Sequence, residues 1–82
     1  MPNTQSNYVV SANRMAMWTF RTSDTADEIA SRVSINWNKS HQSFVLMFKG
    51  RLMTPGYRTL ESLDIHHNMS FEVVDVQRRW LL

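Results

Sequence analysis

The 82-residue sequence contains no cysteine, only two glycines and two prolines, and no long apolar stretch. The absence of cysteine excludes disulfide bridges, thiolate metal sites and cysteine nucleophiles. No apolar run approaches the roughly 20 residues of a membrane span, and residues 1–7 lack the apolar core of a signal peptide. We therefore expect one domain in a cytoplasmic or nuclear protein.

Positive charge is also limited, with a formal net charge of +2. Most of the basic residues are arginines, and they are spread from Arg14 to Arg79 rather than gathered in one place. Nucleic-acid-binding proteins usually concentrate cations on one surface, with aromatic side chains among them. Only Arg78-Arg79-Trp80 hints at that pattern, so we do not expect a nucleic-acid partner.

Catalytic and metal-binding motifs are not evident. His66 and His67 are adjacent, so their side chains diverge, and Asp64 is the only carboxylate close to them. Metal sites need several converging ligands, so a solvated turn is the better interpretation. No nucleophile elbow is present, and a chain of this size leaves little room for a substrate pocket. We therefore predict a protein that is not an enzyme and has no cofactor.

A hairpin is predicted near the start of the chain. Residues 8–10 and 14–21 are rich in β-branched and aromatic side chains, and turn-forming residues lie between them. Alternation places Ala16, Trp18 and Phe20 towards the core and Met15 and Met17 on the other face. Residues 1–7 are polar, so we expect them to form a flexible start.

A helix is predicted after the hairpin. Thr25 and Glu28 have the spacing of a capping box, which satisfies free N–H groups at a helix start. Four apolar residues follow at intervals of three and four, which predicts one buried stripe. They are Ala26, Ile29, Ala30 and Val33. No glycine or proline marks the end, so we expect the helix to fade between residues 36 and 38.

The apolar run at residues 44–48 predicts a third strand, which enters a turn at Lys49-Gly50. Phe44, Leu46 and Phe48 are expected to point inward, and Val45 and Met47 outward. A short strand at 51–53, a turn at 54–57, one helical turn within 59–65 and a last strand at 71–77 follow. A helix packed on one face of a mixed sheet of four to five strands would bury these elements, which is an α+β fold.

The other face of this sheet is predicted to bind a protein partner. If the third and fifth strands are neighbours, four apolar side chains lie together there with two charged residues at their rim. An apolar centre with charged surroundings is typical of a binding site. The predicted protein-binding residues are Val45, Met47, Arg51, Glu72, Val74 and Val76.

The order of elements and four short motifs resemble the ubiquitin superfamily, whose fold is the β-grasp. The motifs are Ser23-Asp24-Thr25, Leu46-Met47-Phe48-Lys49-Gly50-Arg51-Leu52, Arg58-Thr59-Leu60-Glu61-Ser62-Leu63-Asp64-Ile65 and Met69-Ser70-Phe71-Glu72-Val73-Val74. The resemblance runs from about residue 8 to residue 76. It implies a ubiquitin-like domain over residues 8–77, after the flexible residues 1–7 and before a tail at residues 78–82.

The resemblance also suggests a function. Met47 and Val74 stand where ubiquitin has the isoleucine and valine of its binding patch, whereas Glu72 replaces the patch histidine. The last residues, Gln77-Arg78-Arg79-Trp80-Leu81-Leu82, lack the diglycine of conjugated relatives. The resemblance therefore implies a non-conjugated ubiquitin-like or SUMO-like interaction module. Its protein partner would belong to the ubiquitin pathway, the SUMO pathway or another complex, with no small-molecule substrate and no membrane.

Two other functions remain open from the sequence. The domain could instead be a structural subunit of a larger nuclear or cytoplasmic complex, with Trp37 or the Trp80 tail as its contact. A conjugated modifier whose tail is trimmed is the third hypothesis, although no internal glycine lies near the end of the chain. Deletion of residues 80–82 separates the structural subunit from the interaction module, because only the subunit would lose assembly.

Overall fold

The computed structural model describes residues 3–76, which form one five-stranded sheet and one α-helix. In chain order the elements are β1 (Thr4–Val10), β2 (Met15–Arg21), α1 (Ala26–Trp37), a 3-10 turn (His41–Ser43), β3 (Phe44–Phe48), β4 (Arg51–Leu52) and β5 (Ser70–Asp75). The strand order is β2-β1-β5-β3-β4. β1 and β5 are parallel and the other pairs are antiparallel. The predicted α+β architecture is confirmed, whereas the tail at 78–82, including Trp80, lies outside the described residues.

β1 begins earlier than the sequence indicated. Residues 4–7 were expected to be a flexible start, but they pair with β2, with Thr4 opposite Arg21 and Asn7 opposite Trp18. Gln5 and Asn7 point towards the core and are 7% and 0% exposed. Polar residues of this kind are depleted in strands, which is why the sequence favoured a later start.

Hydrogen bonds explain how Gln5 and Asn7 are tolerated inside. The Asn7 side-chain amide donates to the carbonyls of His66 at 2.8 Å and Met69 at 2.9 Å. The Gln5 amide donates to the Ile65 carbonyl at 2.8 Å and to Asn7 Oδ1 at 2.7 Å. Buried polar groups are stable only when paired in this way. The two side chains therefore anchor the segment that leads into β5.

The helix forms where the sequence predicts it. Thr25 Oγ1 accepts a hydrogen bond from the Glu28 amide at 3.2 Å, and Glu28 Oε1 accepts one from the Thr25 amide at 3.2 Å. At the other end Asn38 adopts a left-handed conformation with a φ of 52°, a common helix stop. All four residues of the predicted apolar stripe are buried against the sheet.

The core lies between α1 and one face of the sheet. Phe20, Phe44, Leu46, Phe71 and Val73 come from the strands and are all less than 5% exposed, as their alternation predicted. The segment between β4 and β5 contributes further side chains. Leu60 and Ile65 are fully buried there, although residues 59–65 form hydrogen-bonded turns rather than a helix.

Candidate protein-binding face

The third and fifth strands are neighbours, as the predicted site requires. Val45 lies opposite Val74, and Met47 lies opposite Glu72. Residues directly opposite each other on antiparallel strands share a face of the sheet. Leu46 and Val73, opposite each other on the alternate face, are buried in the core. The register therefore brings four predicted site residues together on the side of the sheet away from α1. They are Val45, Met47, Glu72 and Val74.

Arg51 is placed differently from the prediction. Lys49 and Gly50 form the turn between β3 and β4, with φ values of 51° and 78°. This turn sets Arg51 opposite Phe48, and Phe48 packs against the core. Arg51 therefore lies on the helix side of the sheet edge, where it lines a cleft with Arg58 and Leu63. By register Arg51 belongs to the opposite side of the sheet from Met47, although Leu52, which lies opposite Met47, lines the same cleft.

Val76 lies at one end of the predicted site, where it lines a cleft together with Val45. β5 ends at Asp75, so Val76 follows the strand rather than belonging to it. Its amide donates to the Ser43 carbonyl at 2.9 Å, and its side chain lines a cleft with Phe44 and Ala30 at the end of the sheet. Val76 therefore flanks the face at one end and is not part of its centre.

A row of side chains crosses all five strands on the face away from the helix. The register places Met15 opposite Val10, Val10 beside Glu72, Glu72 opposite Met47, and Met47 opposite Leu52. We call these five residues the central row. Neighbouring strands are about 4.8 Å apart, so the row spans roughly 19 Å. Its two apolar residues on each side flank one carboxylate.

Two shorter rows extend the apolar surface. Met17 lies opposite Tyr8, which continues the surface over β2 and β1, and Val45 and Val74 form a second pair over β3 and β5. Together with the central row they form what we call the outer face. Its residues are Tyr8, Val10, Met15, Met17, Val45, Met47, Leu52, Glu72 and Val74.

The outer face leaves large apolar side chains open to solvent. Met15, Met17 and Leu52 are 67%, 46% and 65% exposed, whereas Met47 is half-buried among its neighbours. Methionine side chains are flexible and polarisable, so a methionine-rich surface can adapt to a partner. Alternation in the sequence correctly predicts that Met15 and Met17 lie on the outward side of β2. Their continuity with Met47 depends on the position of β1 beside β5, which the sequence pattern does not show.

The described histidines take part in local structure. His66 Nε2 lies 2.9 Å from Asp64 Oδ1, and His67 Nδ1 accepts a hydrogen bond from the Ser6 amide at 3.0 Å. His41 stacks on Phe44. Within residues 3–76, no group of three or more histidine, cysteine or acidic side chains is arranged to hold a metal ion. None of the helices in that range has the length and apolar character needed to cross a membrane.

Trp37 is engaged within the domain. Its ring packs edge-on against Trp18, with centroids 5.7 Å apart, and the Arg14 guanidinium stands 5.0 Å from the Trp37 ring centroid. Arg32 stacks on Trp18 at 5.0 Å and donates to the Thr19 carbonyl at 2.6 Å. Cation–π contacts of this kind add to the burial of aromatic side chains. The indole therefore secures the end of α1 to the edge strand β2.

Comparison with known proteins identifies the fold. No protein-family description matches the sequence, and no curated protein matches it. Among solved structures, the chain is similar to the C-terminal ubiquitin-like domain of human 2'-5'-oligoadenylate synthetase-like protein. The TM-score is 0.82 with 8% sequence identity, over 92% of this chain and 86% of that domain's chain. The chain therefore has the ubiquitin-like β-grasp fold.

Proposed function

We propose that this domain is a non-catalytic interaction module that docks a protein partner on the outer face. The observation that carries the proposal is the apolar surface itself, which extends over all five strands on the side opposite α1. Large contiguous apolar patches on a small domain usually mark interaction sites. The resemblance of Met47 and Val74 to the patch residues of ubiquitin supports the same face.

The size of the face suggests a modest affinity. One side of a small sheet provides an interface at or below the standard size, so a micromolar dissociation constant is expected. The proposed partner is a protein of the ubiquitin pathway, the SUMO pathway or another complex, in the cytoplasm or the nucleus. The alternative contact through Trp37 has less support, because that ring already packs against Trp18 and Arg14.

Two variants that place opposite charges at residue 47 test the proposal. Met47→Asp and Met47→Lys both place a charge in the apolar surface, so both should weaken partner binding at least about tenfold. Their effects on folding should differ, because residue 47 lies opposite Glu72. A carboxylate there adds repulsion and an ammonium adds attraction, each of about 0.2–1 kcal/mol. If both variants lose binding although their effects on stability are opposite, the loss is due to the interface and not to reduced folding stability.

The measurement is a quantitative pulldown from the native cell, followed by titration of the purified partner. Tyr57→Asp is the matched control, because Tyr57 is 87% exposed in the segment whose neighbours Gly56 and Arg58 contact the start of α1. It changes an exposed apolar residue to a carboxylate away from the outer face. Equal partner affinity for the wild type and both Met47 variants would show that docking occurs elsewhere.

A further inference from the structure

Glu72 occupies the middle of the outer face. It lies on β5, the central strand of the sheet, with Val10 on one side and Met47 on the other. The exposed side chains of Met15 and Leu52 complete the central row at its two ends. A charged side chain is expected at the rim of an interface rather than at its centre. The position of Glu72 therefore restricts which partner the outer face accepts.

The carboxylate of Glu72 is also unusual among the acidic groups of this domain. Five of the seven acidic side chains accept a hydrogen bond or form an ion pair. They are Asp24, Asp27, Glu28, Asp64 and Asp75. Within residues 3–76, only Glu61 and Glu72 have neither kind of contact. Lys49 lines the same shallow cleft as Glu72, but its ammonium stands over the Phe48 ring at 5.3 Å from the centroid.

A partner that covers the outer face buries the Glu72 carboxylate. Docking removes water from the carboxylate, and burial of an unpaired charge is strongly unfavourable. A cation supplied by the partner offsets that cost, whereas an apolar or acidic group in the same place does not. Glu72 therefore selects among partners by disfavouring those without a basic group at the centre.

The spacing of the central row indicates how such a partner could be arranged. The strands repeat at about 4.8 Å, and one turn of an α-helix rises 5.4 Å. A helix laid across the strands thus presents about one side chain to each strand. We propose that the outer face binds an amphipathic helix whose apolar stripe carries one arginine or lysine at its middle turn, paired with Glu72. This inference rests on the proposed function and adds the chemistry of the partner.

A displayed peptide library tests the inference without knowledge of the natural partner. The library consists of helical peptides of about 18 residues with a fixed leucine stripe, in which only the middle position of the stripe is varied over all amino acids. Binding is selected on the wild-type chain, on Glu72→Lys and on Glu72→Gln. Glu61→Lys is the matched control, because Glu61 is exposed and lies between β4 and β5, outside the outer face. Like that of Glu72, its side chain has no hydrogen bond or ion pair within residues 3–76.

The wild type and Glu61→Lys should enrich arginine and lysine at the middle position. Glu72→Lys should enrich aspartate and glutamate instead, and Glu72→Gln should enrich neither charge. In titrations, a lysine-centred peptide should bind the wild type at least about tenfold more tightly than its glutamate-centred counterpart. Circular dichroism should show the same folded state for all four proteins, because residues 61 and 72 are exposed.

The possible failures can be told apart. If the wild type and Glu72→Lys select the same middle residue, the inference is overturned. Loss of capture by Met47→Asp would in that case still support the proposed face. Equal capture by the wild type and Met47→Asp would overturn both. Absence of capture by the wild type would overturn the inference, and the partner titration would still test the face. If the peptides bind only after residues 77–82 are removed, the occupant of the outer face would be those residues of the same chain. That result would overturn the inference that the helix of a separate partner binds there.

Discussion

Replacement of Asn7 by alanine tests whether the polar residues of β1 hold the sheet to the segment before β5. Asn7 is fully buried and makes three hydrogen bonds through its side chain, with the carbonyls of His66 and Met69 and with the Gln5 amide. Asn7→Ala removes all three. We expect the domain to fold, but with a large fraction of its stability lost.

The loss of unfolding free energy follows from the hydrogen-bonding groups that lose their partner in Asn7→Ala. Each lost hydrogen bond to a carbonyl costs about 1 kcal/mol, and an unsatisfied buried donor costs about 1–3 kcal/mol. The Met69 carbonyl keeps the Tyr8 amide as a donor at 3.2 Å, whereas one N–H of Gln5 loses its acceptor. With the lowest of these values for the Gln5 donor, the sum is about 3 kcal/mol. For a domain of this size such a loss lowers the melting temperature by about 15 °C.

Thermal unfolding and urea titration followed by circular dichroism measure the effect. Ser6→Ala is the matched control, since Ser6 is the neighbouring residue of the same strand and keeps its backbone bond to His67. Its expected change in unfolding free energy is within about 0.5 kcal/mol. A double-mutant cycle adds a sharper test. Gln5→Ala should cost less in the Asn7→Ala background than alone, because the unsatisfied donor is then absent.

A loss of less than about 1 kcal/mol for Asn7→Ala would refute this role of Asn7, and so would additive effects of Gln5→Ala and Asn7→Ala. Either result would mean that the network does not hold residues 65–69 against β1. Hydrogen exchange provides an independent measurement. The Asn68 amide, which donates to the Ser6 carbonyl at 2.8 Å, should exchange faster in Asn7→Ala than in the wild type.

Three further predictions concern local structure. Thr25→Ala removes the cap of α1 and should cost about 1 kcal/mol of unfolding free energy, whereas an unchanged melting temperature would contradict the capping role seen in the hydrogen bonds with Glu28. Gly50→Ala should cost about 1 kcal/mol through backbone strain alone, because the φ of Gly50 is 78° and an added Cβ meets no atom within 4 Å. Lys49→Asn should instead stabilise the turn by a few tenths of a kcal/mol, since asparagine tolerates the left-handed conformation at residue 49 better than lysine; urea titration of both turn variants measures these changes.

Features that depend on neighbours along the chain were predictable from the sequence. The start of α1 follows from Thr25 and Glu28, and its buried face follows from the spacing of four apolar residues. The alternation of β3 correctly separated Phe44 and Leu46 from Val45 and Met47. The four motifs that resemble ubiquitin led to the correct fold. The predicted start of β1 was wrong. The side chains of Gln5 and Asn7 donate hydrogen bonds to carbonyls about sixty residues away, which the local sequence pattern does not reveal.

The sequence alone therefore determined the order of elements, the helix and the inward or outward sides of β2, β3 and β5, because capping and side-chain periodicity act over a few residues. Only the tertiary structure decided which strands are neighbours. The position of β1 between β2 and β5 joins Met15 and Val10 to Met47, and it places Glu72 at the centre of the apolar surface rather than at its rim. The turn at Lys49-Gly50 likewise sets Leu52 on the outer face and Arg51 on the helix side. These placements depend on register between strands distant in the sequence, which the packing of the core against α1 selects.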